Sequence, residues 1–473
     1  MSIPLRMPDI LAHGRWRSGD ELDAIARGWL VVVRDTLDDS GRPIAVALPT
    51  TQEGAALLVA LSSLPSPVIL LPPDVRAWRT EPAIPLGTPV VLLPALAHLA
   101  PDAHKLGLHP LVLPEASPRG AGPPIDPFSG AGIVLFTSGS SGWPKPVFYP
   151  MATELAWVRH RSRAMGLEPG AGVVMEASPA YAQGFTSLLT AILLGGPLGL
   201  LDPRDHRLAL AALAEPAFQC WRASRHLVDA VTNCVLTGPA IVPPVCFVSV
   251  PISPALFDAF LARFGVPLRQ AYSSTETGTV TLDNSPADCV QRDTVGRPLH
   301  RVEIHIGDHP GQPAAPDEIG RIWVRGPWQM AGYGFPPHVE RPGDVDGWWP
   351  TQDLGRLRAD GFLVLAGRLD DAIRTRENRV VNLTHVAASL RGIAGVVDAV
   401  VVAIDTPSGR SFGAVVECDE GLTVARLRRE LADMLPPWSW PRGLELVPAL
   451  PRLPNGKPDR QACARHLTAA PVA

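Results

Sequence analysis

The run Thr137-Ser138-Gly139-Ser140-Ser141-Gly142-Trp143-Pro144-Lys145 sets small hydroxyl residues and glycines in front of a lysine, directly after the apolar segment Ile133–Phe136. Glycines let the backbone approach an anion with its N–H groups turned inward. Hydroxyls add donors and a lysine adds a mobile positive charge, so the combination makes a phosphate cradle. The same composition also makes a flexible turn, and the loop alone does not choose between the two. It is not a Walker loop, because the G-x-x-x-x-G-K-[ST] spacing is absent from the chain. A second run, Tyr272-Ser273-Ser274-Thr275-Glu276-Thr277-Gly278, places a hydroxyl beside a carboxylate. A carboxylate next to a polyphosphate makes sense when it holds Mg²⁺, which shares oxygen ligands between protein and phosphates. Three further segments follow in order: Trp348-Trp349-Pro350-Thr351-Gln352-Asp353-Leu354-Gly355, Gly367-Arg368-Leu369-Asp370-Asp371, and Pro451-Arg452-Leu453-Pro454-Asn455-Gly456-Lys457-Pro458-Asp459-Arg460.

Taken in this order, the segments resemble the acyl-adenylate-forming (AMP-binding) superfamily, which includes acyl- and aryl-CoA ligases, nonribosomal peptide synthetase adenylation domains and luciferase. Gly320–Tyr333 (GRIWVRGPWQMAGY) fills another motif of that family, and the resemblance runs from about residue 130 to the end. The family's phosphate loop, T-S-G-[ST]-T-G-x-P-K, is matched except for Ser141 in place of threonine. The resemblance implies ATP and Mg²⁺ as cofactors and the following roles. Thr137, Ser138, Gly139, Ser140, Ser141, Gly142 and Lys145 would wrap the β- and γ-phosphates. Tyr272 would pack on adenine, Thr275 would touch the α-phosphate and Glu276 would hold Mg²⁺. Asp353 would accept the ribose hydroxyls with help from Arg368, Asp370 would be the hinge, and Lys457 would reach the carboxylate and the α-phosphate. The implied reaction activates a carboxylic acid as an acyl-AMP and passes the acyl group to a thiol of CoA or of a phosphopantetheinyl carrier protein.

The sequence departs from the family at further positions, among them Ser249-Val250-Pro251-Ile252-Ser253 in place of the usual small-residue turn beside adenine. Gln352 replaces the glycine of the usual T-G-D motif. After the hinge, Arg374-Thr375-Arg376-Glu377-Asn378-Arg379 lacks the glycine pair that lines the pantetheine tunnel of many CoA ligases, and it looks more like the form found in carrier-protein-linked adenylation domains. Ala177–Phe185 contains no carboxylate to pair with a substrate ammonium group, which disfavours an α-amino acid. Tyr181, Gln183 and Phe185 would line the acid pocket or serve as packing. Other outcomes for the adenylate are an amide or a lactone. A non-catalytic nucleotide-binding homologue is the remaining alternative, and the retained Lys457 argues against it.

These residues need elements to hold them. Apolar runs at Ile44–Leu48, Val68–Leu71, Val90–Leu93 and Ile133–Phe136 read as strands, with helical patterns over Glu21–Leu37 and Glu53–Leu64 between them. Strands alternating with helices predict a parallel sheet. Gly320–Arg325 and Phe362–Leu365 make the part from about 300 to 369 more β-rich. Val400–Ile404, Phe412–Glu417 and the helical Val424–Met434 follow it. The expected fold class is α/β: a large N-terminal AMP-binding domain over 1–369 with mixed parallel sheets and a β-rich subdomain, and a small mobile α+β domain over 370–473 that carries Lys457.

Composition agrees with a globular enzyme. The 473 residues are 46% hydrophobic with a net charge of −4, which lacks the basic stripe of a nucleic-acid binder. The six cysteines include no C-x-x-C pair, so zinc-ribbon and thioredoxin-like readings fall away. The first residues lack the apolar core of a signal peptide. The most apolar stretches, Ala55–Leu71 and Leu188–Leu201, are broken by Pro65, Pro67, Gly195, Gly196 and Pro197, short of the roughly 20 residues of a membrane span. A cytoplasmic protein without a membrane span is expected.

Overall fold

The computed structural model describes residues 6–37, 41–80, 82–115, 122–137, 144–234, 241–249, 252–312, 317–343, 345–369, 372–374, 380–406, 409–418, 421–453 and 458–469. Two large sheets dominate. One has nine strands and contains the parallel run Gly172–Met175, Phe218–Ala223, Val245–Val248 and Leu268–Ser274, which continues into the antiparallel strand Gly278–Leu282. The other has eight strands, with Ile44–Ala47, Val68–Leu71, Pro89–Leu92 and Gly132–Phe136 parallel and Pro146–Pro150 and Gly332–Phe335 antiparallel at one side.

The main hydrophobic core lies between these sheets. It joins Ile10, Met175, Leu198 and Leu200 of one sheet to Val46, Val68, Ile133 and Val147 of the other, through the helices Gly19–Thr36, Gln52–Ser62 and Ala182–Leu194. Each of the first two helices begins where a hydroxyl can satisfy a free N–H: Ser18 accepts from Glu21 and Thr51 accepts from Gly54. Every residue from Gly54 to Ser62 is buried, so the second helix has no solvent face.

A four-stranded sheet follows, with Trp349–Leu357 paired against both Gly320–Arg325 and Leu363–Arg368. From residue 372 the described chain makes its own sheets. Val396–Thr406, Gly409–Cys418 and Gly443–Val447 form a three-stranded sheet packed by Leu383–Arg391 and Val424–Met434. Their apolar side chains form clusters separate from the main core. No helix among the described residues is long and apolar enough to cross a membrane. Cys220, Cys246 and Cys463 are buried, and Cys289 is exposed.

Candidate active site

The phosphate-loop segment connects two antiparallel strands, Gly132–Phe136 and Pro146–Pro150. Gly132 permits their close approach: its φ is +145°, and a Cβ there would sit 2.2 Å from the Tyr149 carbonyl oxygen. Thr137 and Lys145 close the stem. The Thr137 N–H donates to the Lys145 carbonyl at 3.0 Å, and the Lys145 N–H donates to Thr137 Oγ1 at 3.1 Å. Ser138, Gly139, Ser140, Ser141 and Gly142 lie outside the described residues.

The strand Gly332–Phe335 pairs with Pro146–Pro150, and Tyr333 stands opposite Val147. This places the Lys145 Nζ 5.4 Å from the Tyr333 ring centroid. The Tyr333 hydroxyl donates to the Glu276 carboxylate at 2.8 Å, and burial followed by the charge of Glu276 pushes the phenol well above its ordinary range. A second tyrosine from the same sheet, Tyr149, donates to the Thr275 carbonyl at 2.9 Å.

Thr275, Glu276 and Thr277 form the turn between Leu268–Ser274 and Gly278–Leu282, where Ser274 pairs with Gly278. The Ser274 hydroxyl accepts from the Glu276 and Thr277 N–H groups at 3.2 Å each, so two N–H groups of the turn are satisfied within it. Two tyrosine hydroxyls from one large sheet thus grip a turn at the end of the other. Glu276 suits Mg²⁺: it is a half-buried oxygen donor bonded by Tyr333, whose ring also meets Lys145, and this ion needs only one or two carboxylates when phosphates supply other ligands. No cluster of three or more metal-ligating side chains occurs among the described residues.

Asp353 and Arg368 come together because their strands pair antiparallel with these residues opposite one another. Arg368 Nη1 lies 3.4 Å from Asp353 Oδ1. The Asp353 N–H donates to Thr351 Oγ1 at 3.1 Å. Gln352, in the place of the family's glycine, is exposed and leaves this geometry intact. Tyr272 donates its hydroxyl to Asp353 Oδ2 at 2.6 Å. Tyr272 is buried in a hydrophobic cluster with Val280, Ile322 and Leu363. The packing on adenine stays what the resemblance implies, and the hydroxyl adds a bond to Asp353.

The three residues expected around the acid separate in the structure. Phe185 is 0% exposed in the main core and is a packing residue. Gln183 donates from Nε2 to the Arg222 carbonyl at 2.7 Å. Tyr181 precedes the helix Ala182–Leu194, and its phenol is pushed up to about 12 by burial and then by Asp74. Asp370 and Lys457, and with them Arg376, Glu377 and Asn378, lie outside the described residues.

Sequence reasoning missed Tyr333, although it ends a quoted motif, since nothing in its spacing marks a hydroxyl aimed at Glu276. It also missed Glu176, one residue before the scanned acid segment. That carboxylate is buried, accepts from the Ser224 N–H at 2.7 Å and is also bonded by the Ser224 hydroxyl. Burial raises it to about 7 against the opposing pull of those bonds.

The model of the AMP-binding enzyme family matches residues 39–334. Among curated proteins, the chain is 29% identical to novobiocin biosynthesis protein H of Streptomyces niveus, over 96% of this chain and 79% of that protein. It is 28% identical to the sulfoacetate–CoA ligase of Cupriavidus necator, over 90% of this chain and 88% of that protein. The fold resembles that of ATP-bound MatB from Rhodopseudomonas palustris, with a TM-score of 0.81 at 20% identity, over 98% of this chain and 96% of the other. The match begins well before the point near residue 130 at which the motifs become legible, and with a hairpin stem, an acidic turn and an Asp–Arg pair brought to one place, the chain belongs to the AMP-binding enzyme family.

Proposed function

We propose that the protein activates a carboxylic acid with ATP as an acyl-adenylate and then transfers the acyl group to a thiol. The observation that carries this reading is the convergence of Lys145, Tyr333 and Glu276 at the meeting of the two large sheets. In the first half-reaction a carboxylate oxygen attacks the α-phosphorus of ATP, and the bond to pyrophosphate breaks. Two anions must approach, so fixed positive charge and donors are needed where charge develops. Lys145 and the loop Thr137–Gly142 would hold the leaving phosphates, with Thr275 at the α-phosphate. Glu276, oriented by Tyr333, would hold Mg²⁺, which neutralises phosphate charge when bound. Asp353, oriented by Tyr272 and Arg368, would accept the ribose hydroxyls. Lys457 would stand between the attacking carboxylate and the α-phosphate.

In the second half-reaction a thiolate attacks the acyl carbon and AMP leaves. The acceptor is CoA or a phosphopantetheinyl carrier protein. The absence of both glycines from Arg374–Arg379 supports the carrier protein, whose acidic surface would meet these arginines. The part from 370 onward would act as a lid that brings Lys457 in for the first step and removes it for the second, a use of hinges common in enzymes that assemble and dismantle one site.

ATP–pyrophosphate exchange against benzoates, cinnamates, fatty acids, hydroxy acids, diacids and amino acids tests the reading. Exchange with one acid class is expected, and Lys457→Ala should slow it by on the order of 10²–10³-fold. ATP binding without exchange for any acid would return the non-catalytic alternative. Adding CoA or a phosphopantetheinylated carrier then identifies the acceptor by which one consumes the adenylate.

A further inference from the structure

Two guanidiniums lie inside the molecule, and no carboxylate is hydrogen-bonded to either among the described residues. Arg161 is 0% exposed. It donates to Thr186 Oγ1 at 3.0 Å, to the Thr186 carbonyl at 3.1 Å and to Thr190 Oγ1 at 2.7 Å, and it stacks 4.3 Å from the Trp157 ring centroid. Arg222 is 8% exposed. Its Nη1 alone serves the Gln183 carbonyl at 3.0 Å, Thr186 Oγ1 at 2.7 Å and Ser187 Oγ at 2.9 Å. The Thr186 hydroxyl donates to the Ala182 carbonyl at 2.6 Å, so its proton and both acceptor positions are used.

The other edge of Arg222 differs. Its Nε and Nη2 make no hydrogen bond to a described residue, and neither is sealed from solvent. That edge is the planar fork that fits a carboxylate or sulfonate with two parallel bonds. Arg222 also lies at the carboxyl end of its strand, level with Met175 and Phe247 on the neighbouring parallel strands. It bonds the first turn of the helix Ala182–Leu194. In open sheets of parallel strands, ligands bind in the crevice beyond the carboxyl ends. The strand leading to Thr275 and Glu276 belongs to the same sheet, two positions away, with Arg269 level with Arg222 and Thr275 six residues further along toward the carboxyl end.

The charge of Glu154 acts on Arg161, and no carboxylate among the described residues is hydrogen-bonded to Arg222. Glu154, buried and raised to about 7 chiefly by desolvation, is not hydrogen-bonded to either arginine, and Glu176 is committed to Ser224. Burial pulls Arg222 down to about 10, so it stays a cation at neutral pH. A guanidinium held on one edge by the protein and open on the other is preorganised to receive an anion.

We infer that Arg222 determines specificity: its Nε–Nη2 edge binds a second anionic group of the acid, at the end remote from the carboxylate that is activated. The substrate is then a diacid or a sulfo acid rather than a simple monoacid. This rests on the acid-activating reading above.

Exchange is measured with matched pairs on one carbon skeleton: butyrate and succinate, hexanoate and adipate, benzoate and terephthalate, propionate and 3-sulfopropionate. The wild-type protein should favour the doubly anionic member of at least one pair in kcat/KM, and the sulfonate pair separates sulfo acids from diacids. In Arg222→Gln that ratio should fall by on the order of 10- to 100-fold, chiefly through KM. Arg222→Lys, which keeps the charge without the fork, should fall between. Both acids of a pair are read on one preparation, so partial misfolding lowers both and leaves the ratio. A wild-type preference for the monoacid in every pair, or a ratio unchanged in Arg222→Gln, overturns the proposal. Absence of exchange with any acid overturns the activation reading instead. The Arg222 site is then decided by melting temperature: a rise with the preferred diacid or sulfo acid that Arg222→Gln abolishes supports it, and no rise in the wild type rejects it.

Discussion

The hydroxyl of Tyr272 reaches Asp353 at 2.6 Å from within a hydrophobic cluster. Burial and the neighbouring Asp353 charge hold that phenol well above its ordinary range, so it is a permanent donor at any working pH. Hydrogen bonds to charged groups contribute about 1.5–3 kcal/mol. Tyr272→Phe is therefore expected to raise the KM for ATP by roughly 10-fold or more, with the KM for the acid little changed. Steady-state kinetics with each substrate varied in turn checks this, and equal effects on both would show that the hydroxyl supports the whole site rather than the ribose end. Residues with a fixed place in a motif, such as Glu276, Asp353 and Arg368, are legible in the sequence because their order along the chain is constrained. Tyr333, Glu176 and Arg222 are not, because their partners are 57, 48 and 39 residues away respectively. Only the pairing of strands makes them neighbours.

At the scale of elements, the helix Ala182–Leu194 links the core to Arg222, the proposed acid end of the site. Gly184 lets its first turn lie on the preceding segment, and a Cβ there would fall 2.1 Å from the Ser178 carbonyl oxygen. Gly184→Ala must lift the helix start. Overpacking of this kind costs about 1–3 kcal/mol, so the melting temperature should fall and the KM for the acid should rise while that for ATP holds. A fall in melting temperature with both KM values unchanged would mean that the helix start does not border the acid. The elements themselves are well marked where composition alternates: Val68–Leu71, Gly320–Arg325 and Val424–Met434 occur as the sequence predicts. Boundaries fail where burial is two-sided or pairing is long. The strand Val396–Thr406 is 11 residues long, yet only Val400–Ile404 stands out, because the flanking Asp398 and Asp405 break the apolar run. Asp398 is tolerated because three arginines surround it.

At the scale of the molecule, the proposed hinge is tested by Asp370→Pro, which fixes one backbone angle at the junction. It should spare ATP–pyrophosphate exchange and cripple transfer to the thiol, as followed by release of AMP with acceptor present. Equal losses in the two half-reactions would sink the hinge. The structure offers a contact that such a motion must break. Arg225, at the start of a helix in the large sheet region, meets Asp398 at 3.1 Å. Asp398 is also held by Arg391 at 2.9 Å, by Arg452 at 3.2 Å and by the Ala399 N–H at 2.8 Å. Separating the two parts therefore removes one cation of three and leaves the acid paired on its own side. The usual heavy penalty for abandoning a buried charge does not arise. This contact is a detachable clasp rather than a weld, and its grip should loosen with ionic strength as the separating charges come to share the solvent.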